Sequence, residues 1–219
     1  MQPVSRYDDS LFSHLPAELR SLAARGVVRS YPKKAVLINE AETGDSLFVL
    51  LKGSCKVFAM DESGREITYS TIHEGDYFGE MSLDGGPRSA SVITTEPSTC
   101  AVISRAAITD HLTEHPEFAM NLVLQVIRRA RAATEAARNL ALLDVYGRLV
   151  SVLEKQEGQA TKNADGSVTL ESVTHQEIAS RVGASREMVS RLLKDLEKGG
   201  YIEMGTKRLV LLKKLPARW

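Results

Sequence analysis

The chain has 219 residues, 43% of them hydrophobic and 26% charged, enough for two modest cores but not for one large one. Lys and Arg number 28 and so do Asp and Glu, so no overall charge draws the whole chain to a polyanion or a membrane surface. Apolar runs stay well short of the roughly 18 residues of a membrane span, so no membrane partner is expected.

The N-terminus is polar and carries no secretory signal, so a cytoplasmic location is expected. "HLPAELRSLAARG" (His14 to Gly26) predicts a first helix, with Pro16 near its start, Leu19, Leu22 and Ala23 at helical spacing and Gly26 as its stop. From Val27 to about Ser104 the period changes to short apolar or alternating runs such as "SLFVLLKGSCKVFAM" and "REITYSTI". "ETGDS", "LKGS", "DESGRE", "HEGDY" and "DGGP" interrupt them as turns, which predicts a β-sandwich or barrel. "MDESGREI" reads as a hairpin with Asp61 to Gly64 between its strands. Cys55 and Cys100 fall in this strand-like text and read as buried thiols of a reducing compartment, too few for an iron–sulfur cluster.

After Pro116 the period is helical, with neither Gly nor Pro until Gly147. Val123, Val126, Ala130, Ala133, Ala137 and Leu140 follow at alternating spacings of three and four, while Arg128, Arg129 and Arg131 stay off that stripe. A helix that merely covered a β-domain would show a broader, bulkier apolar face, so the stripe predicts a seam between two copies of the chain. "KQEGQATKNADGSV" (Lys155 to Val168) reads as a polar loop between modules.

Ser172 to Trp219 holds ten basic and five acidic residues, a net +5 that leaves −5 on the rest. Within it Thr174 and Glu177 form a capping box before the apolar face of Ile178, Ala179 and Val182, and Gly183 closes that helix. Ser185 caps a second helix with Val189, Leu192, Leu193 and Leu196 inside, stopped by Gly199 and Gly200. Tyr201 to Met204 and Arg208 to Leu212 then pair around Gly205 to Lys207, completing a winged helix-turn-helix. Arg186, Glu187, Ser190 and Arg191 cluster in the first turns of the second helix, the part that meets base edges. Arg reads guanine through two hydrogen bonds and Glu accepts from cytosine, so this set points to double-stranded DNA with a G/C-bearing step.

"FGEMSLDGGPRSASV" (Phe78 to Val92) places a carboxylate, a guanidinium and a hydroxyl around a glycine-rich turn, between strands that should bury apolar groups. A cyclic phosphodiester is a singly charged anion, best met by a guanidinium fork with hydroxyl and backbone donors. Taken in order with "RNLALLDVYGRL" and "HQEIASRVGASREMVSRLLKDLEKGGYI", this stretch resembles the Crp/Fnr family of bacterial transcription regulators over nearly the full length.

The resemblance implies an α+β protein: a cyclic-nucleotide-binding β-roll (jelly-roll) over 1–115, a dimerisation helix over 116–143 and a winged helix-turn-helix over 144–219. It implies a homodimer, with RNA polymerase as a partner, no cofactor and a cyclic nucleotide as effector. Glu80 would take the ribose 2′-hydroxyl and Arg88 and Ser89 the phosphate, with Gly79, Met81, Ser82, Ala90 and, on the dimer helix, Thr134 as further ligand contacts. Ala133 and Thr134 stand where the family's cyclic-AMP activators have a Thr-Ser pair, so cyclic AMP is the first choice while cyclic GMP and cyclic di-GMP stay open. Arg186, Glu187 and Arg191 would read a TGTGA-like half-site, with Thr174, Gln176 and Ser185 at phosphate-contact positions and His175 in place of a common Arg. "NLALLDV" (Asn139 to Val145) would be the hinge. Two rivals remain: a ligand-blind DNA-binding dimer and a small metalloenzyme. The latter is disfavoured by the scatter of His14, His73, His111, His115 and His175, so no catalytic and no metal residue is expected.

Overall fold

The computed structural model describes residues 9–158, 160, 162–171 and 173–216. The polar start of the chain, and Gln159 and Thr161 of the expected linker, lie outside these. The chain divides into two compact units, one formed by residues up to Ala59 with Tyr69–Ala130, the other by Met60–Thr68 with the chain from Arg131 onward.

A 3₁₀ turn (Asp9–Phe12) and helix α1 (Ala17–Ala23) precede eight strands, which lie in the first unit apart from their residues within Met60–Thr68. These are β1 (Val27–Tyr31), β2 (Val36–Ile38), β3 (Leu47–Lys52), β4 (Cys55–Met60), β5 (Glu66–Ile72), β6 (Tyr77–Phe78), β7 (Ser91–Thr94) and β8 (Ser98–Ile103). They form two four-stranded sheets, ordered β1-β8-β3-β6 and β2-β7-β4-β5. The strand pairings resolved between them are antiparallel.

The period-2 geometry of β3 explains its uninterrupted apolar text. Leu47, Val49 and Leu51 pack with Leu19, Leu22, Ile108 and Phe118 on the helical side, and Phe48 and Leu50 with Ile38, Cys55, Ile72 and Val92 of the opposing sheet. Tyr77 and Phe78 divide in the same way, so β6 ends with one ring in each core and the chain leaves it at Gly79. The sandwich expected from the turn spacing is present, and the hairpin joining β4 to β5 turns where expected, with Asp61 N–H donating to Arg65 O at 3.0 Å. Both cysteines are buried free thiols, pushed up by burial to about 11 at Cys55 and about 12 at Cys100.

Helix α2 (Arg105–Glu114) follows, capped by Ser104, and then α3 (Pro116–Leu142). Beyond α3, Asp144 caps α4 (Val145–Glu157) by accepting from Gly147 N–H at 2.7 Å. The break at Leu143–Asp144 falls inside the stretch expected to be a hinge. The polar segment expected as a loop from Lys155 begins as helix, because Leu149 and Leu153 anchor α4 in the core and it runs on to Glu157, with Gly158 as its C-cap. The far end of that segment is also structured: Val168 opens strand β9 (Val168–Glu171), which sequence reading missed because alternation over four residues is too short to register.

The rest of the second unit matches expectation closely. Helix α5 (His175–Val182) carries the capping box at Thr174 and ends at Gly183 in the left-handed conformation. Helix α6 (Arg186–Lys198) is capped by Ser185. Strands β10 (Ile202–Gly205) and β11 (Arg208–Leu211) form the hairpin and β9 adds to its far side, in the order β10-β11-β9. Val189, Leu193 and Leu196 meet Ile178, Val182, Leu149 and Leu209 in one core.

Candidate functional site

The Phe78–Val92 stretch builds a pocket around one arginine. Asp84 accepts from Gly86 N–H at 2.8 Å and Gly85 turns with φ 92°, a reversal only glycine takes cheaply. The returning chain is then pinned to the loop after β2: Arg88 N–H donates to Glu42 O, and Ala41 N–H to Arg88 O, both at 2.9 Å. Arg88 is therefore aimed inward and is only 8% exposed.

Its guanidinium donates through Nη1 to Gly79 O at 2.8 Å and through Nη2 to Ser46 O at 2.9 Å. Burial lowers its pKa, and Asp45 and Glu80 oppose that shift. Two glycines make room for it. A Cβ on Gly44 would lie 2.8 Å from Arg88 Nε and Nη2, and one on Gly79 would lie 2.8 Å from Nη1 and from Ser46 O. Gly79 also has φ 90°. The "ETGDS" loop, expected only to turn, thus supplies both a carbonyl and a clearance for the central arginine. The sequence signal was the glycine in that loop, which nothing linked to a residue 44 positions later.

Gly79, Met81, Ser82, Arg88, Ser89 and Ala90 line an open cavity, closed at its sides by Ile38, Val57, Phe78, Val92 and Arg129. Ser82 is buried and donates to Gly79 O at 3.2 Å, and Ser89 donates to Met81 Sδ at 3.3 Å. Glu80 is 5% exposed and lies behind the lining, not in it. It does not pair with Arg88. Its Oε1 accepts from Arg129 of α3, and Oε2 is buried without a hydrogen-bond partner. Burial and the Glu80 carboxylate push the Tyr77 phenol up to about 12. Arg129, placed by its sequence spacing merely off the apolar stripe, is thus a further site residue. Thr134 lies on the exposed part of α3 beyond Ala130, in the second unit.

A guanidinium anchored by two carbonyls still has N–H donors to give, and it sits beside a serine and a left-handed glycine. Such an arrangement can chemically receive a small anion. It holds no nucleophile–base pair, and among the described residues no group of three His, Cys, Asp or Glu converges as a metal site. His111 and His115, scattered in sequence reading, do come together with ring centroids 4.5 Å apart.

In the second unit Arg186, Glu187 and Arg191 are exposed in the first two turns of α6, with Glu187 and Arg191 one turn apart and Ser190 half-buried beside them. The Ser185 hydroxyl oxygen accepts from Met188 N–H at 3.2 Å, and that of Thr174 accepts from Glu177 N–H at 3.2 Å. Both residues therefore place the N-terminus of their helix, and Gln176 is exposed beside Thr174. His175 Nδ1 lies 2.7 Å from Ser190 Oγ, tying the start of α5 to α6. No helix of the described residues is long and apolar enough to cross a membrane.

Residues 28–115 match the family model of the cyclic nucleotide-binding domain, and residues 147–217 that of the Crp-like helix-turn-helix domain. The chain is 35% identical over 188 residues to the cAMP-activated global transcriptional regulator CRP of Escherichia coli, covering 84% of this chain and 89% of that one. It is 33% identical over 208 residues to the cAMP-activated regulator Vfr of Pseudomonas aeruginosa, covering 91% and 96%. Among solved structures, the c-di-GMP responsive global regulator CLP of Xanthomonas campestris superposes with a TM-score of 0.80 at 27% identity, covering 90% of this chain and 98% of that one.

Proposed function

We propose that this chain, which belongs to the Crp/Fnr family of transcription regulators, binds a cyclic nucleotide at Arg88 and thereby changes its affinity for a palindromic DNA site. That it is a ligand-responsive DNA-binding regulator follows from the two matched domains and the curated relatives. The finer reading rests on one observation above the rest: a buried arginine, fixed by the Gly79 and Ser46 carbonyls, lines an open cavity beside Ser89. Cyclic AMP is the proposed effector, with no cofactor, and the two curated relatives described above are cAMP-activated.

The active species is a homodimer. Met120, Val123, Leu124, Val126, Ile127 and Leu140 are 41–60% exposed on α3, an apolar stripe that a second copy would cover. Two copies would present two α6 helices to successive major grooves, reading TGTGA-like half-sites through Arg186, Glu187 and Arg191. Asn139 to Val145, where α3 gives way to α4, is the proposed hinge, and RNA polymerase the proposed further partner.

Calorimetric titration with cyclic AMP, cyclic GMP and cyclic di-GMP tests the reading. A cyclic mononucleotide should bind, and Arg88→Ala should weaken it at least a hundredfold, since each charge-assisted bond contributes about 1.5–3 kcal/mol. The TM-score of 0.80 to a c-di-GMP responsive regulator favours cyclic di-GMP as the second reading. Binding of that ligand alone, surviving Arg88→Ala, would decide for it. No heat from any of the three would leave a ligand-blind DNA-binding dimer.

A further inference from the structure

Helix α3 meets the start of the Phe78–Val92 stretch, the cassette that carries Arg88, through residues one turn apart. The Tyr77 hydroxyl donates to Asn121 O at 3.2 Å, Gln125 Nε2 donates to Tyr77 O at 2.9 Å, and Arg129 donates to Tyr77 O at 3.2 Å and to Glu80 Oε1. Steps of four residues put these groups on one face of the helix. They converge on a strand of two residues, Tyr77 and Phe78, followed at once by Gly79, whose carbonyl holds Arg88. A carbonyl oxygen has two lone pairs, and here Gln125 and Arg129 take both. Gln125 is half-buried and absent from the cavity lining, so neither solvation nor ligand contact accounts for its place.

We propose that Gln125 is a positioning residue: by sharing the Tyr77 carbonyl with Arg129 it fixes the β6–Glu80 segment to α3, so that ligand entering the cassette moves the helix. This rests on the cyclic-nucleotide reading above and deepens it. Without the amide donor, Arg129 holds the segment through a longer bond to the carbonyl and its ion pair with the buried Glu80. The cassette can then accept ligand while α3 stays behind.

The test compares wild type with Gln125→Met, which keeps length and removes the donor, and with Gln125→Lys, which restores one. Cyclic-AMP affinity is read by calorimetry, and coupling is read as the ratio of DNA affinities with and without nucleotide. In Gln125→Met the ligand affinity should stay within about threefold and the coupling ratio fall about three- to tenfold, the effect of one hydrogen bond. Gln125→Lys should recover most of it. Should Gln125→Met fold poorly, Gln125→Glu sets an acceptor against the carbonyl in the same volume and should lower the ratio as well. A merely structural role would lower melting temperature and leave the ratio alone, and that result would overturn the proposal. A wild type that binds no cyclic nucleotide would overturn the function reading and this inference with it. A wild type that binds and switches, beside a Gln125→Met that switches equally, would sink the inference alone.

Discussion

Alanine at Gly44 and alanine at Gly79 should fail differently, because different atoms stand in the way. At Gly44 the atoms nearest the added Cβ all belong to the Arg88 guanidinium, the far end of a flexible side chain, which can swing off its carbonyls. Gly44→Ala should therefore keep the melting temperature within about 3 °C and weaken cyclic-nucleotide binding about 10- to 100-fold, read by thermal scan and calorimetry. At Gly79 the clash includes the Ser46 backbone oxygen and the residue has φ 90°, so Gly79→Ala should destabilise the unit by about 1–3 kcal/mol as well. His111 offers a second residue-scale prediction. It is fully buried, both ring nitrogens lack partners, and it lies against His115 and Phe118, with Arg25, Glu114 and Glu117 as the charged groups around it. Burial, then His115 and Arg25, lower its pKa. Folded protein thus stays neutral there while unfolded chain protonates, so stability is intact above about pH 6.5 and is lost as pH falls below it. His111→Leu should raise stability at pH 7.5 by about 1 kcal/mol and flatten the decline between pH 6.5 and 5, measured by denaturant titration. An unchanged acid slope would remove His111 as its source.

Helix α3 is where sequence and packing separate most instructively. Its alternating apolar stripe was legible because 27 residues of uninterrupted helix give a period time to register. Val123, Val126 and Leu140 are exposed in the single chain, where the proposed second copy would cover them. Val126→Glu should shift the protein from dimer to monomer in analytical ultracentrifugation at micromolar concentration. Burying two unpaired carboxylates at a symmetric seam costs several kcal/mol, while each chain keeps its fold because Val126 belongs to no core. A dimer that persists would place the interface elsewhere. The caps of α5 and α6 were legible for a local reason, since Thr174, Glu177 and Ser185 act within three residues of themselves. The Arg88 socket was half legible. Its turn at Asp84–Pro87 is local, but the Ser46 carbonyl and the Gly44 clearance come from a loop brought close only by the pairing of sheets, and Arg129 only by the docking of α3. Strand β9 and the last turn of α4 escaped because four residues carry no period and because Leu149 and Leu153 extend a helix through polar text.

At the scale of the whole molecule the governing quantity is charge distribution. Formal charge is zero, yet Ser172 to Trp219 carries +5 and the remainder −5. Non-specific attraction of DNA to the chain as a whole is therefore weak, and affinity depends on how many basic modules engage at once. Each phosphate contact adds about −0.9 to the slope of log affinity against log salt concentration. A single module on a half-site duplex has some slope n, and two modules in register on a palindrome approach 2n. If nucleotide acts by aligning two α6 helices, the palindrome should show a slope near 2n with nucleotide and near n without it. The half-site duplex should show n in both. Fluorescence anisotropy across 50–300 mM salt, with and without saturating cyclic AMP, measures all four slopes. Equal palindrome slopes in the two states, with affinity still raised by nucleotide, would mean that the ligand improves each module's grip on its own half-site. The register of the pair would then play no part, and the proposed hinge, where α3 gives way to α4, would have to act within one chain.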